Sequence, residues 1–231
     1  MICNSFQYRK MSALRRFTAA AVALLALGAV ATGECLTVRL RANERTDGPS
    51  PGAAGKIPPS LARRAIVFRD PSGGDRYRLK AKGDDAAKLF DARENEIGKL
   101  TLHADRIKAK SADDKPLFEL KRKDDKLMLK DAADNELYKW KLKGDELSFN
   151  RGDESLYRIR IKSGETQLVD PQGKVRAQAA LKKGGAELCD PAGKLLLASQ
   201  ELPDASGLIF FEVRELTPLQ QAACLLFFLR N

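Results

Sequence analysis

Few residues in this chain have types and spacings that could do chemistry. His103 is the single imidazole, which excludes a multi-histidine metal site and leaves one candidate base for a Ser-His or Cys-His mechanism. Thr101-Leu102-His103 sets it near a strand end with no nucleophile beside it, so a structural or solvated role is expected. Acids cluster at Asp84-Asp85, Asp113-Asp114, Asp124-Asp125 and from Asp131 to Glu136. None has the alternating spacing that arranges oxygens around one calcium ion, and each falls in a turn pattern, where solvated carboxylates belong. A carboxylate pair for glycoside hydrolysis is defined by separation in space, so that reading stays open, although nothing near these acids predicts the burial that raises a pKa. No cofactor and no metal is implied.

The cysteines offer no more. Cys3, Cys35, Cys189 and Cys224 show no repeated spacing, and once Cys3 leaves with the N-terminal segment described below, the odd remainder predicts no disulfide framework. Cys189 lies at an expected strand end and Cys224 in a very apolar segment, where a thiol acts as a small buried hydrophobe. Arg151-Gly152-Asp153 spells an integrin-type tripeptide, but Asn-Arg-Gly-Asp-Glu between two strand patterns is what a hairpin loop requires.

The basic residues carry the one pattern that points to a partner. Lys and Arg number 41 against 31 acids, a net charge of +10, which favours acidic partners or surfaces. Arg76, Arg78 and Lys80 alternate with Tyr77, Leu79 and Ala81; Lys139 and Lys141 with Tyr138, Trp140 and Leu142; Arg158 and Arg160 with Tyr157, Ile159 and Ile161. Successive strand residues face opposite sides, so one face is expected in the core and the other forms a cationic surface. Anionic lipid, lipopolysaccharide or an acidic cell-wall polymer would suit it. Nucleic acid is not expected from a chain with 6% aromatics and no stacking pattern on the basic face. The competing reading is that solvent-facing strands need polar residues in any case, and that lysine blunts edge pairing.

Positioning those residues falls to a repetitive β-domain. Leu142-Lys143-Gly144, Ile161-Lys162-Ser163-Gly164 and Leu181-Lys182-Lys183-Gly184 each open a unit of about twenty residues that carries two strands and two turns. Asp170-Pro171-Gln172-Gly173 and Asp190-Pro191-Ala192-Gly193 supply a hairpin turn with a mechanism: Asp bonds its own downstream amides, Pro presets φ, and Gly accepts the positive φ that ends the turn. About a dozen antiparallel strands are expected from Ala65 to Ser199, with one more at Leu208 to Val213. Thr217-Pro218-Leu219-Gln220 then reads as a capped helix start. The helix it opens, over 217–230, is apolar all round, including the adjacent Phe227 and Phe228. A helix of that kind must be surrounded, and it is too short to cross a bilayer. The expected fold is therefore mainly β, an antiparallel meander forming a barrel or strongly curled sheet around a buried apolar C-terminal helix.

The N-terminus reads as a targeting segment. Arg9, Lys10, Arg15 and Arg16 precede the apolar run Phe17 to Val30, and Ala29-Val30-Ala31 gives small residues at the spacing of signal-peptide cleavage. Met11 opens a more ordinary charged region than Met1 does. An uncleaved anchor is the alternative, but the run falls short of the roughly twenty residues that span a bilayer. Cys35 lies where a lipoprotein cysteine would, yet Glu34 occupies the preceding position, which a lipobox requires to be small. Residues 1–33 are thus read as a signal peptide, 34–64 as a flexible Pro/Gly-rich linker, and 65–231 as the hairpin domain, exported to the periplasm or cell envelope with no transmembrane span in the mature chain.

A long meander of Asp-x-x-Gly hairpins that ends in an apolar helix resembles the tubby-like superfamily, including its LURP-one-related and phospholipid scramblase branches. Units such as Leu168-Val169-Asp170-Pro171-Gln172-Gly173-Lys174-Val175 look like the hairpins of LURP-one-related proteins, over roughly Ala65 to Asn231. The resemblance implies a barrel plugged by its C-terminal helix; no lipid-contacting residue carries over from it. The functional expectation is a non-enzymatic extracytoplasmic protein that binds or scaffolds at an anionic envelope surface, with a hydrolase of envelope material as the alternative.

Overall fold

Period-two alternation, broken by a turn roughly every ten residues, gives fourteen strands. They are β1 (Ile66–Arg69), β2 (Asp75–Ala81), β3 (Ala86–Asp91), β4 (Glu96–Leu102), β5 (Arg106–Ser111), β6 (Pro116–Lys123) and β7 (Lys126–Asp131). The meander continues through β8 (Glu136–Lys143), β9 (Glu146–Arg151), β10 (Glu154–Lys162), β11 (Glu165–Val169), β12 (Val175–Lys182), β13 (Gly185–Cys189) and β14 (Leu195–Ser199). The computed structural model describes residues 56–57, 61–62, 64–162 and 164–230. The signal peptide, Met11, Cys3 and Cys35 lie outside the described residues, as does most of the expected linker. Each strand runs antiparallel to its sequence neighbours, and β1 meets β14 at Arg69 and Ala198, closing the sheet into a barrel. Closure removes the sheet edges that an open meander would leave unpaired.

The thirteen connections between successive strands alternate between two rims, seven at the first and six at the second. At the first, Asp70, Asp91, Ser111, Asp131, Asp170 and Asp190 each begin a turn in which a side-chain oxygen accepts from a backbone amide four residues on. The last turn residue is Gly73, Gly173 or Gly193 at positive φ, but Glu94, Asp114 and Asp134 occupy the same left-handed position in three turns, a conformation that acids tolerate better than most side chains. Arg151-Gly152-Asp153 is the seventh member, a tight loop between β9 and β10. At the second rim the ladders run on into the turns: the carbonyls of Asp85, Asp105, Asp125 and Asp145 accept from the amides of Leu102, Arg122, Leu142 and Ile161, opposite them in the β3–β4, β5–β6, β7–β8 and β9–β10 pairs.

Inside the barrel runs the rest of the chain. Leu208 to Val213, expected as a strand, is instead covered by a 3₁₀ helix, Ser206–Glu212, with Gly207 to Phe211 buried. The closed sheet has no edge to offer a further strand in its lumen, so the buried backbone satisfies itself by local turns. The C-terminal helix α1 (Pro218–Arg230) follows with the expected reciprocal cap: the Thr217 amide donates to Gln220 Oε1 at 2.8 Å, and the Gln220 amide to Thr217 Oγ1 at 3.4 Å. Gln221, buried in the connection, donates to the carbonyls of Leu216 and Val213. Residues Leu219 to Phe227 are buried, whereas Phe228, expected in the core, is only half-buried because the helix reaches the second rim there.

The lumen is filled unevenly. The helix packs against β4 and β5, and the 3₁₀ helix against β11 to β13. Those walls carry Gly98, Ala109, Ala177, Ala179 and Ala186 inward. A Cβ on Gly98 would lie 2.5 Å from the Lys110 carbonyl and 2.7 Å from Leu219 Cδ2, and one on Gly207 would lie 2.5 Å from Leu225 Cδ1. Opposite, Trp140 and Phe149 fill the space with ring centroids 4.8 Å apart, and Phe210 of the 3₁₀ helix meets Trp140 at 6.4 Å. Ile57 and Leu61, inside the segment read as linker, are buried in the same core, and the Ile57 amide bonds the Asp84 carbonyl at 2.7 Å, so packing begins ahead of the expected boundary at 65.

Candidate functional site

The seven basic residues singled out in sequence do not form one surface. Arg76, Arg78 and Lys80 lie on β2; Lys139, Lys141, Arg158 and Arg160 lie on β8 and β10, six and eight strands further along the meander and on another wall. Several are already spoken for. Arg78 pairs with Asp75 and Glu94, Lys80 with Glu94, Lys139 with Glu136 and Arg160 with Glu146. Arg76 lies 5.4 Å from the Tyr77 ring.

Strand register explains which bases are neutralised. Lys80, Lys88, Lys99 and Lys110 stand directly opposite one another on β2 to β5. Like charges in register repel, and acids from the first-rim side answer them: Glu94 at 2.9 Å from Lys80, Glu96 at 2.5 Å from Lys88, and Asp114 at 2.8 Å from Lys99. A second row differs. Lys123, Lys126, Lys141, Ser148 and Arg158 follow one another across β6 to β10 with no acid at any position. Of the seven expected residues, this row joins Lys141 and Arg158, and adds Lys123 and Lys126, which strand-by-strand reading missed.

That row runs to the second rim, where large apolar side chains meet water. Leu142 is 47% exposed and Leu181 50% exposed, and Ile161 between them is half-buried. Leu142 was expected on the inward face with Tyr138 and Trp140. It does keep that alternation, but β8 extends past the end of the helix, so among the described residues nothing covers it. Lys143, Lys162, Lys182 and Lys183 are exposed beside these three. The signal was present in sequence as Leu142-Lys143-Gly144, Ile161-Lys162-Ser163-Gly164 and Leu181-Lys182-Lys183-Gly184, each of which opens a repeat. Behind the rim, Leu127, Leu142, Leu147, Ile161, Phe227 and Phe228 line a cleft of about 270 Å³, with Arg122, Lys126, Asp124 and Asp125 at its mouth.

The first rim holds a pocket of another kind, about 340 Å³, lined by Tyr157, Lys174, Arg176, Asp190, Glu212 and Arg214 among apolar Leu168, Val175 and Leu196. Burial holds the Glu212 carboxyl above its ordinary range, against the pull of Arg214, Arg76 and Arg176. Burial and the neighbouring Glu215 raise Tyr157, whose hydroxyl donates to Glu215 Oε1 at 3.2 Å. This is the raised carboxyl that the turn acids gave no reason to expect; it sits at the end of the 3₁₀ helix, not in a hairpin turn. The thiols are not in this pocket: Cys189 and Cys224 are buried and unpaired with each other, and burial pushes both up, away from reactivity. His103 is exposed just past β4.

The class of protein is set by its strand pairing: a closed fourteen-stranded antiparallel barrel built around its own C-terminal helix, with a charged exterior and an apolar lumen, the reverse of a barrel that spans lipid. No described helix is long and apolar enough to cross a membrane. No family model matches the chain, and no curated protein does. Among solved structures, an X-ray structure of a protein from Arabidopsis thaliana is similar with a TM-score of 0.35 and 14% identity, over 71% of this chain and 96% of that one.

Proposed function

We propose that this chain is an exported, non-enzymatic β-protein that binds at an anionic envelope surface, lipid or polyanion, through the second rim. The observation that carries the reading is the coincidence there of exposed Leu142 and Leu181 with the in-register bases Lys123, Lys126 and Lys141. Exposed apolar side chains within a basic ring suit a surface that is charged outside and apolar beneath. The tubby-like resemblance belongs to the same reading, and a barrel around an apolar C-terminal helix supports it. Cosedimentation with anionic vesicles tests the proposal: association should weaken as salt shortens the Debye length from about 10 Å toward 3 Å, and Leu142→Ser with Leu181→Ser should reduce it further. Equal binding to neutral and anionic vesicles, or no binding at low salt, overturns it. N-terminal sequencing tests export, with a mature start near Thr32 expected.

Glu212 favours a second reading, a hydrolase of envelope material. Its raised carboxyl would serve as the acid, with Asp190 across the same pocket as the second carboxylate. Product analysis on cell-wall fragments tests it, and any activity should be lost in Glu212→Gln.

A further inference from the structure

The geometry points to the cleft behind the second rim as a seat for one acyl chain of an anionic membrane lipid, its headgroup held among the bases at the mouth. The inference rests on the docking reading and goes beyond it, since surface adsorption needs no cleft. The helix leans on β4 and β5, and its departing end, Phe227 and Phe228, forms one wall of a gap whose other wall is Leu127, Leu142, Leu147 and Ile161. Elsewhere the lumen is filled, on one side by the two helices against small residues and on the other by Trp140 and Phe149. Only toward the rim does the aromatic filling stop short of the helix.

Shape and charge select the occupant. The cleft, about 270 Å³ and open at its mouth, suits part of a single chain and not a whole diacyl lipid. Its lining is aliphatic and aromatic, with polar groups at the mouth alone. There Asp124 and Asp125 form the tip of the β6–β7 turn. The Asp124 carbonyl accepts from Arg122 Nε at 3.4 Å, and the Asp125 carbonyl is tied to the Leu142 amide at 3.0 Å. Arg122, Lys123, Lys126, Lys141 and Lys143 surround these two acids and outnumber them, so the local field favours an anionic head above an apolar tail.

Titration calorimetry of the full chain with alkyl phosphates, each kept below its micelle concentration, tests this. Affinity should rise about fourfold per added methylene and level off once the cleft is full. Ile161→Trp, which fills the cleft, should abolish the length dependence, and Leu142→Ser, at a site exposed enough to leave folding intact, should weaken every chain length. Affinity that does not vary with length, or that is unchanged in both variants, overturns the inference. Vesicle association without alkyl phosphate binding overturns the cleft and leaves surface docking standing. Alkyl phosphate binding without vesicle association overturns docking, and with it the membrane as the source of the chain.

Discussion

At one rim of the barrel Asp70, Asp91 and Asp131 fold their carboxylates back on their own hairpins, each accepting from amides two and four residues on; at the other, Leu142 and Leu181 stand in water beside lysines. Both rims belong to the same hairpins. The first uses its polar side chains to satisfy its own backbone, so those acids have little left to offer a ligand. The second satisfies its backbone by carbonyl-to-amide bonds that prolong the strand ladders, which asks nothing of its turn side chains. Repetition thus builds the wall, and the end whose turns need no side-chain help is free to acquire a surface. The pocket at Glu212 borrows Asp190 and Lys174 from those turns, but its raised carboxyl comes from the end of the 3₁₀ helix.

The comparison can be broken most severely by removing what both rims hang from. Deleting everything after Glu215 removes α1 from a closed lumen and should leave insoluble or molten material; a soluble product with an unchanged thermal transition would show that the barrel stands without its helix. Phe210→Ala comes next. Phe210 is fully buried between Trp140 and Phe228, with centroids 6.4 and 5.0 Å away, and denaturant unfolding should register a loss of about 3–5 kcal/mol. Leu181→Ser, also an apolar deletion but at the open rim, should stay within about 0.5 kcal/mol. Equal losses from the two would erase the distinction between core and rim.

Two smaller effects sharpen it. Gly98→Ala should cost about 1–3 kcal/mol, because the new methyl meets the Lys110 backbone and Leu219. The clash with Leu219 is relieved by moving the helix off β4 toward the cleft, so the same variant should weaken alkyl phosphate binding. The smallest effect is acid sensitivity of the first rim. The carboxyls of Asp70, Asp91 and Asp131 lie below the ordinary 3.8, Asp70 chiefly through the Ser72 hydroxyl and the other two through the side chains of Asn95 and Asn135. A folded-state pKa below the unfolded one gives stability that is present above pH 3.8 and lost as pH falls through the folded values. The melting temperature should therefore drop below about pH 4, and Asp131→Asn, which keeps the acceptor oxygen, should flatten that drop. Vesicle binding by the second rim should not follow it.

Local pattern was enough for much of this molecule. The period-two runs, the Asp-x-x-Gly turns and the Thr217 to Gln220 cap are each set by neighbours within a few residues, and each stands where the sequence places it. An all-apolar α1 also implied enclosure, since its surface had no other place to be buried. What local pattern does not carry is the position of one strand relative to another several hairpins away. Alternation says which face of β2 and β8 is inward but not that curvature puts Arg78 and Lys141 on different walls, nor that register sets Glu94 against Lys80 and leaves Lys123, Lys126 and Lys141 in a row without acids. Leu142 alternates as a core residue and is exposed because the helix ends and leans toward β4 and β5; Leu208 to Val213 is an apolar run expected as a strand and coils because a closed sheet leaves it no partner. The sequence by itself determined the hairpins and the plug. Closure of the sheet and the off-centre seat of the helix decided where the surface and the cleft lie, because both depend on distances between residues that the chain brings together only when the barrel shuts.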